Sequence, residues 1–171
     1  MKMAPIQIIG HAGCGKTTLI VELLAQLTQK GLKVGTLKHS SHHHELDKPG
    51  KDSFLHRKAG AVPCAMMTSD MTAIYLPGNQ HQSPVDIIQQ YFSQTHIVLI
   101  EGWISGPYPK IEVWRHSCHR KPLFYNIHNI KAFVTDQKPA LDHIEETKTR
   151  DIHCLARSDL AGIANFILSI N

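Results

Sequence analysis

Residues 10–17 read Gly10-His11-Ala12-Gly13-Cys14-Gly15-Lys16-Thr17, between the apolar run Pro5-Ile6-Gln7-Ile8-Ile9 and a stretch in which Leu19, Ile20, Leu23, Leu24 and Leu27 recur. The run before has the pattern of a short buried strand. The stretch after repeats at helical spacing until Gly31, a residue suited to end a helix. The segment between them matches G-x-x-x-x-G-K-[ST] in the strand, loop and helix setting that its chemistry requires. Glycines let the backbone curl so that the amides of Gly13 to Thr17 point inward at the positive end of the helix, where phosphate oxygens are held. Lys16 is then expected at the β- and γ-phosphates, as a catalytic residue. Thr17 offers a hydroxyl to Mg²⁺, a hard cation that prefers oxygen ligands in octahedral array. Nucleotide contacts are expected from Gly10, Ala12, Gly13, Cys14, Gly15, Lys16, Thr17 and Thr18. His11 reads as a spectator, and Cys14 as either a spectator or a thiol made oxidisable by the helix N-terminus beside it.

Working outward, Leu32 to Leu37 is strand-like, which completes a β-α-β unit with parallel strands and a right-handed crossover. The polar stretch Lys38 to Lys51 is a long loop, of the kind that is functional or mobile in compact domains. Asp52 or Ser53 is placed to cap a short helix ending at Gly60. Ala65-Met66-Met67 and Thr72 to Tyr75 read as a hairpin, and Ser83-Pro84-Val85-Asp86 opens a helix from Pro84 to about Gln94. Ile97 to Ile100 is an unbroken apolar run, the mark of a central strand. Ile111 to Trp114, Ala132 to Thr135 and Ile152 to Leu155 are further extended segments, and Ser158 caps a closing helix. The expected architecture is one three-layer α/β/α P-loop NTPase domain spanning residues 1–171, with a mainly parallel sheet and a hairpin extension.

Composition narrows the function. A chain of 171 residues fits one domain at about 150 residues per domain. With 42% hydrophobic and 19% charged residues, disorder and coiled coil are excluded. Net charge is +4 without a dense basic run, so small anions suit this chain and nucleic acid is not expected. No run approaches the roughly 20 apolar residues of a membrane span, and the first residues lack a cleavable apolar core, so a cytoplasmic location without membrane contact is expected. The four cysteines are scattered without a C-x-x-C pair, which points to reduced thiols rather than structural zinc. His39, His42, His43 and His44 are the one compositional oddity; a loop so rich in imidazole can collect Ni²⁺, Cu²⁺ or Zn²⁺.

A phosphate site of this kind needs an acidic residue at the end of a central strand. Glu101 follows Ile97 to Ile100 and is the expected catalytic acid and Mg²⁺ partner. Gly102 lets the backbone approach a γ-phosphate. Asp47 and Asp52 are candidate outer-shell Mg²⁺ ligands or water positioners, and Lys51 and Arg57 are candidate phosphate or pterin-phosphate contacts. Asp52 thus either serves the nucleotide site or is only a helix cap. Asp136, after the strand Ala132 to Thr135, either accepts hydrogen bonds from guanine or simply starts a turn.

These residues carry a resemblance. Lys38-His39, His42, the Asp-Lys-Pro-Gly-Lys-Asp-Ser run at 47–53, the Arg-Lys-Ala-Gly-Ala run at 57–61, Leu99-Ile100-Glu101-Gly102 and Pro109 to Val113 are similar to the molybdopterin-guanine dinucleotide biosynthesis adapter family, MobB. The resemblance spans nearly the whole chain. It implies a homodimer that binds GTP with Mg²⁺, hydrolyses it slowly, and assists a separate guanylyltransferase in attaching GMP to molybdopterin. The chain departs from the family at Trp103-Ile104, where Phe-Lys is common, and residues 117–129 carry none of the motifs just quoted. Exposed edges for a dimer are expected at the hairpin Ala65 to Tyr75 and the strand Ile111 to Trp114. Two other readings stand beside this one: a metal-delivery GTPase using the histidine loop, and a small-molecule kinase.

Overall fold

Strands whose residues are apolar at every position are covered on both faces, and the computed structural model shows where those faces lie. It describes residues 3–78, 83–137 and 141–170. In chain order the elements are β1 (Ala4–Ile9), α1 (Lys16–Gln29), β2 (Val34–Lys38), α2 (Asp52–Lys58), β3 (Cys64–Met67), β4 (Thr72–Tyr75), α3 (Pro84–Tyr91), β5 (Ile97–Glu101), β6 (Lys110–Trp114), β7 (Ile130–Thr135), α4 (Leu141–Thr149), β8 (His153–Ala156) and α5 (Leu160–Ser169). Two 3-10 turns, His116–Cys118 and Leu123–Tyr125, follow β6.

The chain separates into two compact units, residues 41–87 and the remainder. The larger unit holds a six-stranded sheet in the order β2-β5-β1-β6-β7-β8, and each neighbouring pair is parallel. Alternation along the strands divides the core between the two faces. Ile6, Ile8, Leu99, Ile111 and Val134 pack with Leu19, Leu23, Ile163 and Ile167, so α1 and α5 cover one face. On the other face Val98 and Ile100 meet Ile88 and Phe92, while Trp114 and Phe133 meet Phe124 of the second 3-10 turn. This is the three-layer P-loop NTPase-like architecture. Among the described residues no helix is long and apolar enough to cross a membrane.

The smaller unit contains α2 and the antiparallel β3–β4 hairpin, in which Cys64 faces Tyr75 and Met67 faces Thr72. Most of the large apolar side chains that remain exposed belong to it, among them Leu46, Met66, Met67, Met71 and Ile74.

Four expectations need correction. The strand Ile111 to Trp114 is no edge, because β6 lies between β1 and β7. The last helix is capped by Asp159, whose carboxylate accepts from the Gly162 amide at 2.8 Å, and not by Ser158. Asp52 is the first residue inside α2 and Lys51 occupies the cap position, with no side-chain cap bond. The scattered cysteines are not scattered in space, since the return of the chain after β6 joins Cys14 to Cys118 in a disulfide.

Candidate nucleotide-binding site

The site is built where β1, β2 and β5 end. Parallel strands deliver their carboxyl ends to one edge, and the strand order reverses about β1, which leaves a crevice there. Gly15 stands at the cap of α1 with φ +86°, no side chain caps this helix, and its first turn holds no acid. The orphan amides of that turn are therefore left for an anion.

Lys16 folds back over the loop. Its ammonium donates to the Gly10 carbonyl at 2.9 Å and the His11 carbonyl at 2.8 Å. Burial holds its pKa below the ordinary lysine value, the Glu101 carboxylate opposes that shift, and the Lys38 charge adds to it. The Thr17 hydroxyl lies 3.0 Å from each Glu101 oxygen, and Lys38 Nζ is 3.4 Å from Glu101 Oε1. Lys16, Thr17, Lys38 and Glu101 thus converge from α1, β2 and β5.

Backbone geometry fixes the acid. Gly102 adopts φ +83°, and a Cβ there would sit 2.9 Å from the His39 carbonyl oxygen, so a side chain at this position would be both strained and crowded. The His39 amide donates to the Glu101 carbonyl at 3.0 Å, tying the start of the polar loop to the strand end. Buried Gln7 secures the turn beyond: its amide nitrogen donates to the Trp103 carbonyl, and its oxygen accepts from the Tyr108 amide at 3.0 Å.

The segment after β6 forms the other wall. A Cβ at Gly15 would lie 3.0 Å from Arg115 Nη2, so the guanidinium rests against the phosphate loop. Arg115 Nε is 3.4 Å from Asp136 Oδ2, and the His11 ring meets the Lys121 carbonyl at 2.9 Å. Asp136 also lines a cavity of about 270 Å³ with Thr135, Gln137, Cys154, Ala156 and Ser158, at the ends of β7 and β8.

Asp47, Lys51, Asp52 and Arg57 belong to the smaller unit, and there they form their own arrangement. Asp47 Oδ1 accepts from the Lys48 amide at 2.8 Å, the Ser53 hydroxyl at 3.1 Å and the Tyr75 hydroxyl at 3.2 Å. Arg57 pairs with Glu45 at 2.7 Å and with Asp47 at 3.7 Å, and its Cζ sits 4.9 Å from the centre of the Tyr75 ring. Lys51 and Asp52 are exposed. Among the described residues no group of three or more His, Cys, Asp or Glu is arranged to hold a metal ion.

The structure adds Lys38, Arg115 and Cys118 to the surroundings of the loop. Lys38 ends the strand that the β-α-β rule sets near the loop. Arg115 and Cys118 lie about a hundred residues beyond the loop, and only the sheet order brings them to it.

Sheet, crevice and loop define a nucleotide-binding protein of the P-loop α/β class. Residues 5–136 match the model of the family MobB, molybdopterin guanine dinucleotide synthesis protein B, and the chain belongs to that family. It is 36% identical over 118 residues to the molybdopterin-guanine dinucleotide biosynthesis adapter protein of Haemophilus influenzae, a match covering 68% of this chain and 65% of that protein. The adapter of the same description from Escherichia coli is 27% identical over 92% of this chain and 87% of its own length. The crystal structure of Bacillus subtilis MobB superposes with a TM-score of 0.75 at 26% identity, covering 97% of this chain and 96% of that one. A hydrogenase maturation factor HypB from Archaeoglobus fulgidus shares the fold at a TM-score of 0.53 and 13% identity.

Proposed function

We propose that this protein is an adapter in molybdenum cofactor biosynthesis that holds GTP with Mg²⁺ on residues 10–18 and assists a partner guanylyltransferase in attaching GMP to molybdopterin. Family membership supports the adapter role and the pathway. The observation that carries the nucleotide reading is the convergence of Lys16, Thr17 and Glu101 at the uncapped start of α1.

The donors fit magnesium. A threonine hydroxyl and a carboxylate are hard oxygen ligands, and they leave positions for phosphate oxygens and water. When bound, the ion offsets charge on the phosphates. Thr17 and Glu101 would hold it, Lys16 would leave the Gly10 and His11 carbonyls for phosphate oxygens, and Lys38 would keep the Glu101 carboxylate turned to the site. Asp136 and the adjoining cavity are the proposed guanine contact, because a carboxylate accepts from guanine N1 and N2 and finds no such donor pair on adenine. Turnover is slow in this reading. Fast P-loop GTPases add a dedicated water-positioning group and an arginine worth 10³- to 10⁵-fold.

Lys51 and Arg57 are proposed contacts for phosphate or pterin phosphate, and Asp47 and Asp52 are proposed outer-shell Mg²⁺ ligands or water positioners. The exposed Met66, Met67, Met71 and Ile74 of the hairpin unit are proposed as the surface through which two copies associate. We place the protein in the cytoplasm, where the guanylyltransferase reaction is proposed to run.

Calorimetry with GTP and ATP, with and without Mg²⁺, tests the reading on wild type and Lys16→Ala. Preference for GTP, dependence on Mg²⁺ and loss of binding in Lys16→Ala are expected. Equal affinity for ATP removes the guanine assignment, and unchanged binding in Lys16→Ala removes the site.

A further inference from the structure

Cys14 occupies the middle of the phosphate loop and has no exposed surface; Cys118 ends the first 3-10 turn after β6 and is partly exposed. They are separated by 104 residues, yet their Cα atoms are 6.4 Å apart, within the span that a disulfide bridges. Contacts independent of sulfur hold the same two segments together. The His11 ring meets the Lys121 carbonyl, and the Arg115 guanidinium lies against Gly15. The cysteines therefore stay close when reduced, and bond formation needs little rearrangement. The other two cysteines, Cys64 and Cys154, are free.

We propose that Cys14 and Cys118 are a reversible thiol–disulfide pair that sets the mobility of the phosphate loop, closing under a peroxide and reopening under a dithiol. Cysteine pairs in a reducing compartment rest as thiols, and those that close do so transiently, as sensors. The more exposed Cys118 reacts first. Its sulfur displaces one oxygen of hydrogen peroxide, forming a sulfenic acid and releasing water. The Cys14 sulfur then attacks the Cys118 sulfur, the S–O bond breaks, and the hydroxide leaves with the Cys14 proton as a second water. Two thiols and one peroxide thus become one disulfide and two waters. A dithiol reverses the step by exchange and leaves as its own disulfide.

The bond ties the loop from behind. The Cys14 side chain is buried, so the loop's inward amides stay free for phosphate, while its excursions are restrained through β6 and the 3-10 turn. A loop that opens less often releases its nucleotide more slowly. This consequence rests on the nucleotide reading above; the loop mobility itself does not.

The test compares peroxide-treated and dithiol-treated full-length protein, wild type and Cys118→Ser. Peptide mass mapping is expected to show a Cys14–Cys118 cross-link only in treated wild type, with Cys64 and Cys154 unlinked. Hydrogen exchange without nucleotide is expected to slow about tenfold over residues 13–18 on oxidation, because local opening is suppressed. Release of a fluorescent GTP analogue should slow about threefold. Cys118→Ser should exchange at the reduced rate under both treatments. Persistence of both thiols, a cross-link to another cysteine, or equal exchange in the two states overturns the inference. Exchange that responds to oxidation in a protein that binds no GTP analogue upholds the loop device and overturns the nucleotide reading instead.

Discussion

The hydroxyl of Thr17 sits 3.0 Å from both carboxylate oxygens of Glu101, although 84 residues separate them. Such a symmetric contact places the hydroxyl where a divalent cation would draw oxygen from each partner. If Mg²⁺ takes Thr17 as a ligand, Thr17→Ala removes that oxygen, and GTP affinity is expected to become nearly insensitive to Mg²⁺. Glu101→Gln keeps the shape and removes the charge. It should retain nucleotide while hydrolysis falls by at least about tenfold, the size of effect expected when a group that stabilises developing charge is neutralised. Calorimetry across a Mg²⁺ series and phosphate release would check both; full Mg²⁺ dependence in Thr17→Ala would show that the hydroxyl is not a ligand.

Lys16 gives a pH dependence with a defined sign. Burial lowers its pKa, and the Glu101 carboxylate raises it. As pH climbs through the lowered value, the free protein loses the ammonium that the phosphates need, so GTP affinity should fall on the alkaline side earlier than for an ordinary lysine. Removing the Glu101 charge takes away the raising influence. In Glu101→Gln the alkaline decline should therefore begin at lower pH than in wild type, and a decline shifted upward would contradict the assignment.

Asp136 is held from one side by Arg115 at 3.4 Å. If its carboxylate accepts from guanine, Asp136→Asn replaces one acceptor with a donor and leaves guanine N–H groups unpaired. Discrimination between GTP and ATP should drop by about 10- to 100-fold, corresponding to 1–3 kcal/mol for an unsatisfied polar group. Competition between the two nucleotides measures it. Equal loss for both would instead mark Asp136 as the anchor of Arg115 alone.

The parts of this molecule that were legible in the sequence are those encoded locally. The unbroken apolar run Ile97 to Ile100 marks β5, mostly apolar segments mark β1 and β7, and the glycine-rich octet after β1 sets the topology around the loop. Helix α4 has a weak local signal because Leu141–Thr149 is largely polar, with Leu141 and Ile144 as its strongly apolar residues. Lys38 and Arg115 take their meaning from the order of strands, which no local pattern states. Asp47 stands in a polar loop whose local pattern names no partner, and the fold gives one of its oxygens to Lys48, Ser53 and Tyr75.

Lys110 and Glu112 alternate with Ile111 and Val113 along β6, yet Glu112 is fully buried. Its oxygens accept from the Leu123 amide at 2.5 Å and the Phe124 amide at 2.9 Å, so it anchors the second 3-10 turn to β6. Burial raises its pKa from 4.5 to about 7, and the two amide bonds oppose that rise without cancelling it. A folded-state pKa above the unfolded one means that the native protein binds the proton more tightly. The associated stability is complete below pH 4.5 and is lost as pH rises through about 7. At about 1.4 kcal/mol per pH unit the loss amounts to about 3 kcal/mol. Glu112→Gln has no charge to bury and keeps an acceptor for one amide. Its melting temperature should be flatter between pH 5 and pH 8 than that of wild type, with a difference in slope worth roughly 8 °C over the interval. Glu112→Ala leaves two buried amides without an acceptor and should be destabilised at every pH, by about 2–5 kcal/mol. Parallel melting profiles for wild type and Glu112→Gln would show that this carboxylate does not titrate with folding.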